Sequence, residues 1–149
     1  MGAFGNRLKR GLIPIAVLVA VLLIPGPTWA ALMTTRASVD TGGGDPNSDS
    51  FSPSISATGR YVAFSSLASD LVPGDGNSFR DVFVRDLVAG TTTRASVDTG
   101  GGAPNGDSFV PSISATGRYV AFYSYASDLV PGDGNGFIDV FVRGSLIAS

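Results

Sequence analysis

The stretch PSISATGRYVAF stands at residues 53–64 and again, letter for letter, at residues 111–122. Inside it, Ala57-Thr58-Gly59 forms a tight turn, with glycine where a positive φ is easiest. The turn separates a short strand, Pro53-Ser54-Ile55-Ser56, from a second, Arg60-Tyr61-Val62-Ala63-Phe64-Ser65-Ser66, rich in β-branched and aromatic residues. Tyr61 and Ala63 point to one side of that second strand, Val62 and Phe64 to the other. Both sides are apolar, so the strand belongs between layers and not over one core with its back to water. A loop from Leu67 to Phe79 follows, dense in turn formers at Pro73-Gly74-Asp75-Gly76-Asn77. Asp81-Val82-Phe83-Val84-Arg85-Asp86 supplies a third strand, and Val88-Ala89-Gly90 turns the chain into a fourth, Thr91–Val97. Threonine, serine and arginine dominate the fourth strand, as they should at an outer, partly solvated edge.

The duplication is larger than this stretch. Residues 34–85 align without a gap on residues 92–143, and only positions 45, 48, 52, 65, 67, 78 and 80 differ from their partners 58 residues on. A period of that size marks a repeat architecture, in which one supersecondary unit stacks on the next. Four antiparallel strands, buried in the middle and polar at one edge, describe a propeller blade. A β-solenoid is the rival, but its coils are shorter and its strands parallel, whereas the short turns here imply hairpins. The expected fold is therefore all-β: four-stranded antiparallel propeller blades, with one repeat over residues 34–91 and a second over residues 92–149 whose end is degenerate.

The run Ser-Ile-Ser-Ala-Thr-Gly-Arg-Tyr-Val-Ala-Phe at 54–64 and 112–122 resembles the S-x-D-G-[RK]-x-[VIL]-[AV]-F core of TolB-type, WD40-like β-propellers. Asp81–Asp86 followed by Gly90-Thr91-Thr92 is similar to the third and fourth strands of that family. Thr58 and Thr116 stand where the family usually has the turn aspartate, while the glycine is kept. The resemblance covers residues 34–143 and speaks to fold. It implies little about activity, because such propellers serve both as binding platforms and as accessory domains of unrelated enzymes.

Residues 1–30 have the layout of a secretory signal peptide. Arg7, Lys9 and Arg10 form a positive start, Gly11–Ile24 an apolar run, and Thr28-Trp29-Ala30 leaves small residues where a signal peptidase reads. The apolar run is shorter than a bilayer span requires and is closed by Pro25 and Pro27. Cleavage before Ala31 and export, to a secreted, periplasmic or cell-surface location, are expected. With no cysteine, the exported chain at residues 31–149 relies on packing and not on disulfides. It holds seven arginines and twelve aspartates but no lysine, glutamate or histidine, a net charge of −5. Net acidity without a basic cluster argues against nucleic acid, whose binding draws on phosphate neutralisation, and against an anionic membrane surface after cleavage.

The strand inventory is uneven. Met33–Val39 reads as a fourth strand without the first three, and the second repeat supplies strands at 112–114, 118–124 and 139–143 before the pattern is lost after Arg143. Two blades do not make a ring, which needs about four to eight. Three resolutions stand open: assembly of several chains, with the N-terminal strand donated within or between chains; a partial propeller; or a piece of a longer repeat protein. A protein partner, or self-association that completes the propeller, is accordingly expected. Between the repeats Ser52 becomes Val110, Ser65 becomes Tyr123, Leu67 becomes Tyr125 and Arg80 becomes Ile138, so Val110, Tyr123, Tyr125 and Ile138 are candidates for a contact surface peculiar to the second repeat.

Catalysis has little to work with. The exported chain lacks the usual bases and thiols, and no G-x-S-x-G elbow accompanies its serines. Most of its aspartates sit at repeat-equivalent turns, where Asp caps backbone amides. Calcium is the cofactor candidate: Asp75, Asn77 and Asp81, and their copies Asp133, Asn135 and Asp139, place oxygen ligands at relative positions 1, 3 and 7. The loop lacks the glycine and the closing glutamate of a full calcium loop, and Asx turns explain the same residues. Gly42-Gly43-Gly44 and Gly100-Gly101-Gly102 are read as connectors between blades, since no helix opens after them. The expected role is a non-catalytic binding scaffold, with an accessory piece of an extracytoplasmic hydrolase as the alternative.

Overall fold

Seven strands and no helix make up residues 33–144, which the computed structural model describes. The expected signal peptide with its cleavage point, and the divergent end at 145–149, lie outside the described residues. Strands β1 (Ser50–Ile55), β2 (Tyr61–Ser66), β3 (Asp81–Asp86) and β4 (Thr91–Arg94) form a four-stranded antiparallel sheet in chain order. Strands β5 (Ser108–Ile113), β6 (Tyr119–Ser124) and β7 (Asp139–Gly144) form a three-stranded sheet of the same order. The registers repeat with the sequence: Tyr61 faces Asp86 and Ser66 faces Asp81, as Tyr119 faces Gly144 and Ser124 faces Asp139. The chain is all-β, in two antiparallel sheets of four and three strands.

Three boundaries differ from the sequence expectation. The outer strand begins at Ser50 and not Pro53, because the ladder slips between Phe51 and Ser54 in a bulge with Ser52 at φ 52°. The same bulge lies between Phe109 and Ser112, with Val110 at φ 46°. Proline, with no N–H to give a ladder, is tolerated where the ladder is already broken. The fourth strand stops at Arg94, because the Ser96 hydroxyl accepts from Val82 N at 2.9 Å and takes the place of a ladder carbonyl. Residues 33–39 form no strand, and none of the described strands pairs with them.

The expected two-sided burial of β2 is observed: all six of its residues are buried. On one side Val62, Phe64 and Phe83 pack with Ala68, Leu71 and Val72 of the following loop, against Ala37 and Leu87. On the other, Tyr61, Ala63, Val82, Val84 and Ala95 pack against Val120 and Phe122 of the second sheet, with Ile113, Leu129 and Phe141 at the margin. The Val62-equivalent side of the second sheet thus rests on the Tyr61 side of the first, front to back. Each buried aliphatic or aromatic side chain contributes about 1.5–3 kcal/mol, so this joint is the main tertiary tie between the repeats.

Polar contacts pin the joint in register. Ala57 N donates to Ala115 O at 3.1 Å, Ser108 N to Arg80 O at 2.7 Å and Ile113 N to Ser54 Oγ at 3.1 Å. The Arg80 guanidinium lies 4.7 Å from the Phe51 ring and 5.2 Å from the Phe109 ring, a cation held between aromatics of the two repeats. Turn aspartates do what their positions imply. Asp40 Oδ1 accepts from Gly42 N and Gly44 N, both at 2.7 Å, and Asp98 repeats this with Gly100 and Gly102. The triglycine connectors are therefore clasped by their own aspartate.

Candidate functional site

Asp75, Asn77 and Asp81 do converge, and an arginine lies among them. Arg94 Nη1 stands 3.0 Å from Asp75 Oδ1 and 3.4 Å from Asp81 Oδ2, with all three side chains almost wholly buried. Ser96 donates to Asp81 Oδ1 at 2.7 Å, and Asn77 Nδ2 donates to Asp81 Oδ2 at 3.1 Å and to Pro104 O at 3.0 Å. The other end of Asn77, Oδ1, accepts from Phe79 N at 3.0 Å, an Asx turn that closes the loop. Burial pushes the Asp81 carboxyl up to about 6; nearby Asp75 adds to the rise, while Ser96, Arg94 and Asn77 oppose it. Burial likewise raises Asp75, against the pull of Arg94. Two carboxylates and one guanidinium out of water form a structural ionic knot, costly to break by removing one member.

The second loop is the same apart from the arginine. Asn135 Nδ2 donates to Asp139 Oδ2 at 2.7 Å and its Oδ1 accepts from Phe137 N at 2.7 Å. Asp133 and Asp139 are half-buried, and among the described residues no arginine pairs with either. Nor does any group of three or more carboxylates among the described residues gather as a metal would need. Arg94 and Ser96 were not singled out from the sequence, because they reach Asp81 only through strand pairing. The available signal was a charged residue in a strand predicted to flank a buried one.

The larger feature is the face that the second sheet leaves uncovered. Tyr61, Val82 and Val84 are 7%, 0% and 4% exposed, whereas Tyr119, Val140 and Val142, identical in sequence context, are 56%, 77% and 67% exposed. Beside β7, a cavity of about 410 Å³ is lined by Ala95, Val97, Phe122, Leu129, Phe141 and Val142 among others. Of the contact residues proposed from the sequence, Tyr123 stacks on Phe109 at 5.3 Å and Tyr125 meets the same ring edge-on at 6.2 Å. Val110 lies at the bulge beside Phe109, and Val110, Tyr125 and Ile138 are exposed. Tyr123 covers Phe109 much as the Arg80 guanidinium covers Phe51, so the Ser65/Tyr123 and Arg80/Ile138 differences form one exchange of an arginine for a tyrosine.

Surface ion pairs complete the picture. Arg60 grips Asp86 through Nε at 3.0 and 3.1 Å and Nη2 at 2.7 Å, which holds the Asp86 carboxyl down to about 2. Arg36, the N-terminal counterpart of Arg94, pairs with exposed Asp45, which is Ala103 in the second repeat. No protein-family model matches the chain, and no curated protein matches its sequence.

Proposed function

We propose that the chain is an exported, non-catalytic module of stacked TolB-like propeller blades that works by binding, through protein–protein contact at its blade faces. One observation carries this: a contiguous apolar sheet face, Tyr119, Val140 and Val142, is open to solvent, and its sequence twin is buried under another sheet. Exposed apolar patches of this kind mark interaction sites. Asp81 supports the same reading, since it is fully buried and its carboxyl is tied to Ser96, Arg94 and Asn77. The leader at 1–30 supports export.

The test has two arms. Expression of the full chain in a bacterial host, followed by fractionation and N-terminal sequencing, is expected to give protein outside the cytoplasm starting at Ala31. Full-length protein retained in the cytoplasm overturns export. Incubation with chromogenic esters, glycosides and peptides is expected to give no turnover above buffer. Turnover that survives purification and is lost in an aspartate variant would instead place the chain with the hydrolases. Calcium is a second ligand to test, at Asp133, Asn135 and Asp139, where no arginine pairs with the carboxylates among the described residues. Calorimetric titration of dilute protein with calcium alone tests it: heat that is lost in Asp139→Asn supports calcium, and absence of heat rules it out.

A further inference from the structure

We infer that the open face and edge of the second sheet are the acceptor for residues 34–38 of a second copy of this chain, which adds there as a fourth strand, head to tail. The inference rests on the binding-module reading and supplies its partner. Its warrant is the joint already present inside one chain. Residues 92–96 flank β3 and complete the first sheet: Thr93 pairs with Val84, Arg94 with Phe83, Arg94 reaches Asp75 and Asp81, and Ser96 bonds Asp81. Moved by one repeat, each partner exists once more. The donor, Thr34-Thr35-Arg36-Ala37-Ser38, is identical to Thr92-Thr93-Arg94-Ala95-Ser96. The acceptor carries Asp133, Asp139, Phe141 and Val142 in place of Asp75, Asp81, Phe83 and Val84.

Among the described residues, neither half of this second joint is satisfied within one molecule. Residues 34–36 are exposed and unpaired in any strand, and Asp139 holds only Asn135. The cavity runs along the free edge strand β7, and six of its lining residues, Phe122, Leu129, Val130, Val140, Phe141 and Val142, have buried counterparts in the first sheet, Phe64, Leu71, Val72, Val82, Phe83 and Val84. The back of the first sheet shows the matching vacancy. An added Cβ on Gly117 would lie 2.3 Å from the Tyr61 ring, so that ring sits on the glycine turn of the next repeat. Around Gly59 the same position is empty, and Ile55 is exposed where Ile113 is packed. The geometry places Tyr119 of one copy on the Gly59 turn of the next.

Arg36 must exchange partners to do this. In the single chain it pairs with Asp45, which the second repeat replaces by Ala103. Arg94, already engaged with Asp75 and Asp81, has no use for an aspartate there. Asp45 thus holds the donor arginine until Asp133 and Asp139 of a neighbour take it. At the Tyr123 end the two joints differ, since tyrosine and isoleucine replace Ser65 and Arg80. An interface of this type is heterologous; it closes into a ring or runs on as a filament. Closure into a propeller of about four to eight blades would take two to four copies.

The absence of cysteine gives a direct test on the full chain. Thr35→Cys with Val142→Cys places thiols at the counterparts of the paired Thr93 and Val84, both at exposed positions that do not endanger the fold of the single chain. Mild oxidation is expected to give a ladder of covalent dimers and higher species, reversed by reductant, while Thr34→Cys with Val142→Cys, one residue out of register, gives at least about tenfold less. Arg36→Glu added to the first pair is expected to reduce the ladder at least about tenfold. A disulfide confined to single chains, no disulfide at all, or equal yields from the two registers overturns the inference. None of these results touches export or turnover, which test the binding-module reading separately.

Discussion

Val82 and Val140 lie in the same pentapeptide, Asp-Val-Phe-Val-Arg, in the same register against the same neighbour strand, yet one is fully buried and the other three-quarters exposed. Tyr61 and Tyr119 divide the same way. Local sequence is equal in the two sheets, so the difference comes from what lies across the layer. The first sheet has a fourth strand and a second sheet on its Tyr61 side; the second has neither among the described residues. Burial here is a property of the stack. A repeat is a part whose energetics depend on its neighbours.

The sharpest way to break this comparison is to make one substitution twice. Val82→Asp is expected to cost at least about 4 kcal/mol by placing an unpaired charge in the joint, and Val140→Asp to change stability by less than about 0.5 kcal/mol in dilute solution. Urea unfolding of both variants at a concentration too low for association checks it, and equal costs would mean that the two faces are not distinct. Next come the turn glycines. Gly59 and Gly117 both have positive φ, 72° and 80°, but only Gly117 is roofed by a tyrosine ring. Gly59→Ala is expected to cost about 1 kcal/mol from the backbone alone, and Gly117→Ala about 3 kcal/mol because the Tyr61 ring must also move.

A pH series separates two aspartates of the first sheet. The folded pKa of Asp81 is raised from 3.8 to about 6, so its contribution to stability is full below about pH 4 and falls as pH rises through 6. The Asp86 value is lowered from 3.8 to about 2, so its contribution is present above about pH 4 and is lost as pH falls through 2. Asp81→Asn is expected to flatten the fall between pH 4 and 6, and Asp86→Asn the fall below pH 4, in thermal melts across that range. The smallest effects are at strained residues. Val110, β-branched at φ 46°, is expected to gain about 1 kcal/mol on change to glycine, and Ser78, at φ 61° where its partner is Gly136, about 0.5 kcal/mol. Chemical denaturation midpoints resolve both.

Much of this was written in the local sequence, because it depends on near neighbours. The two-sided strand Tyr61–Ser66 and the strand Asp81–Asp86 follow from short runs of β-branched and aromatic residues bounded by turn formers, and the capping work of Asp40 and Asp98 from the turns they open. The bulge at Ser52 and Val110 was hidden, since the pattern around Pro53 reads as a plain strand start while the ladder resumes upstream of it. The knot of Arg94 with Asp75 and Asp81 was hidden for another reason. Its members are far apart along the chain, and only the β3–β4 register brings them together. The strand inventory pointed to an unclosed stack, but residue identity could not say which face stays open, because Tyr119, Val140 and Val142 read the same as Tyr61, Val82 and Val84.

The segment at residues 95–107, which runs from the first sheet to the second, is also a tether. By holding the two sheets close, it keeps their effective concentration near the millimolar values usual for short links, whatever the dilution of the sample. A near-copy of that joint between two molecules has no such link and must draw on the bulk concentration. Mass action then makes the stability of the joint between copies climb as protein is added, while that of the tethered joint stays fixed. A single melting curve taken at one concentration would report a mixture of the two, and a dilution series would take them apart.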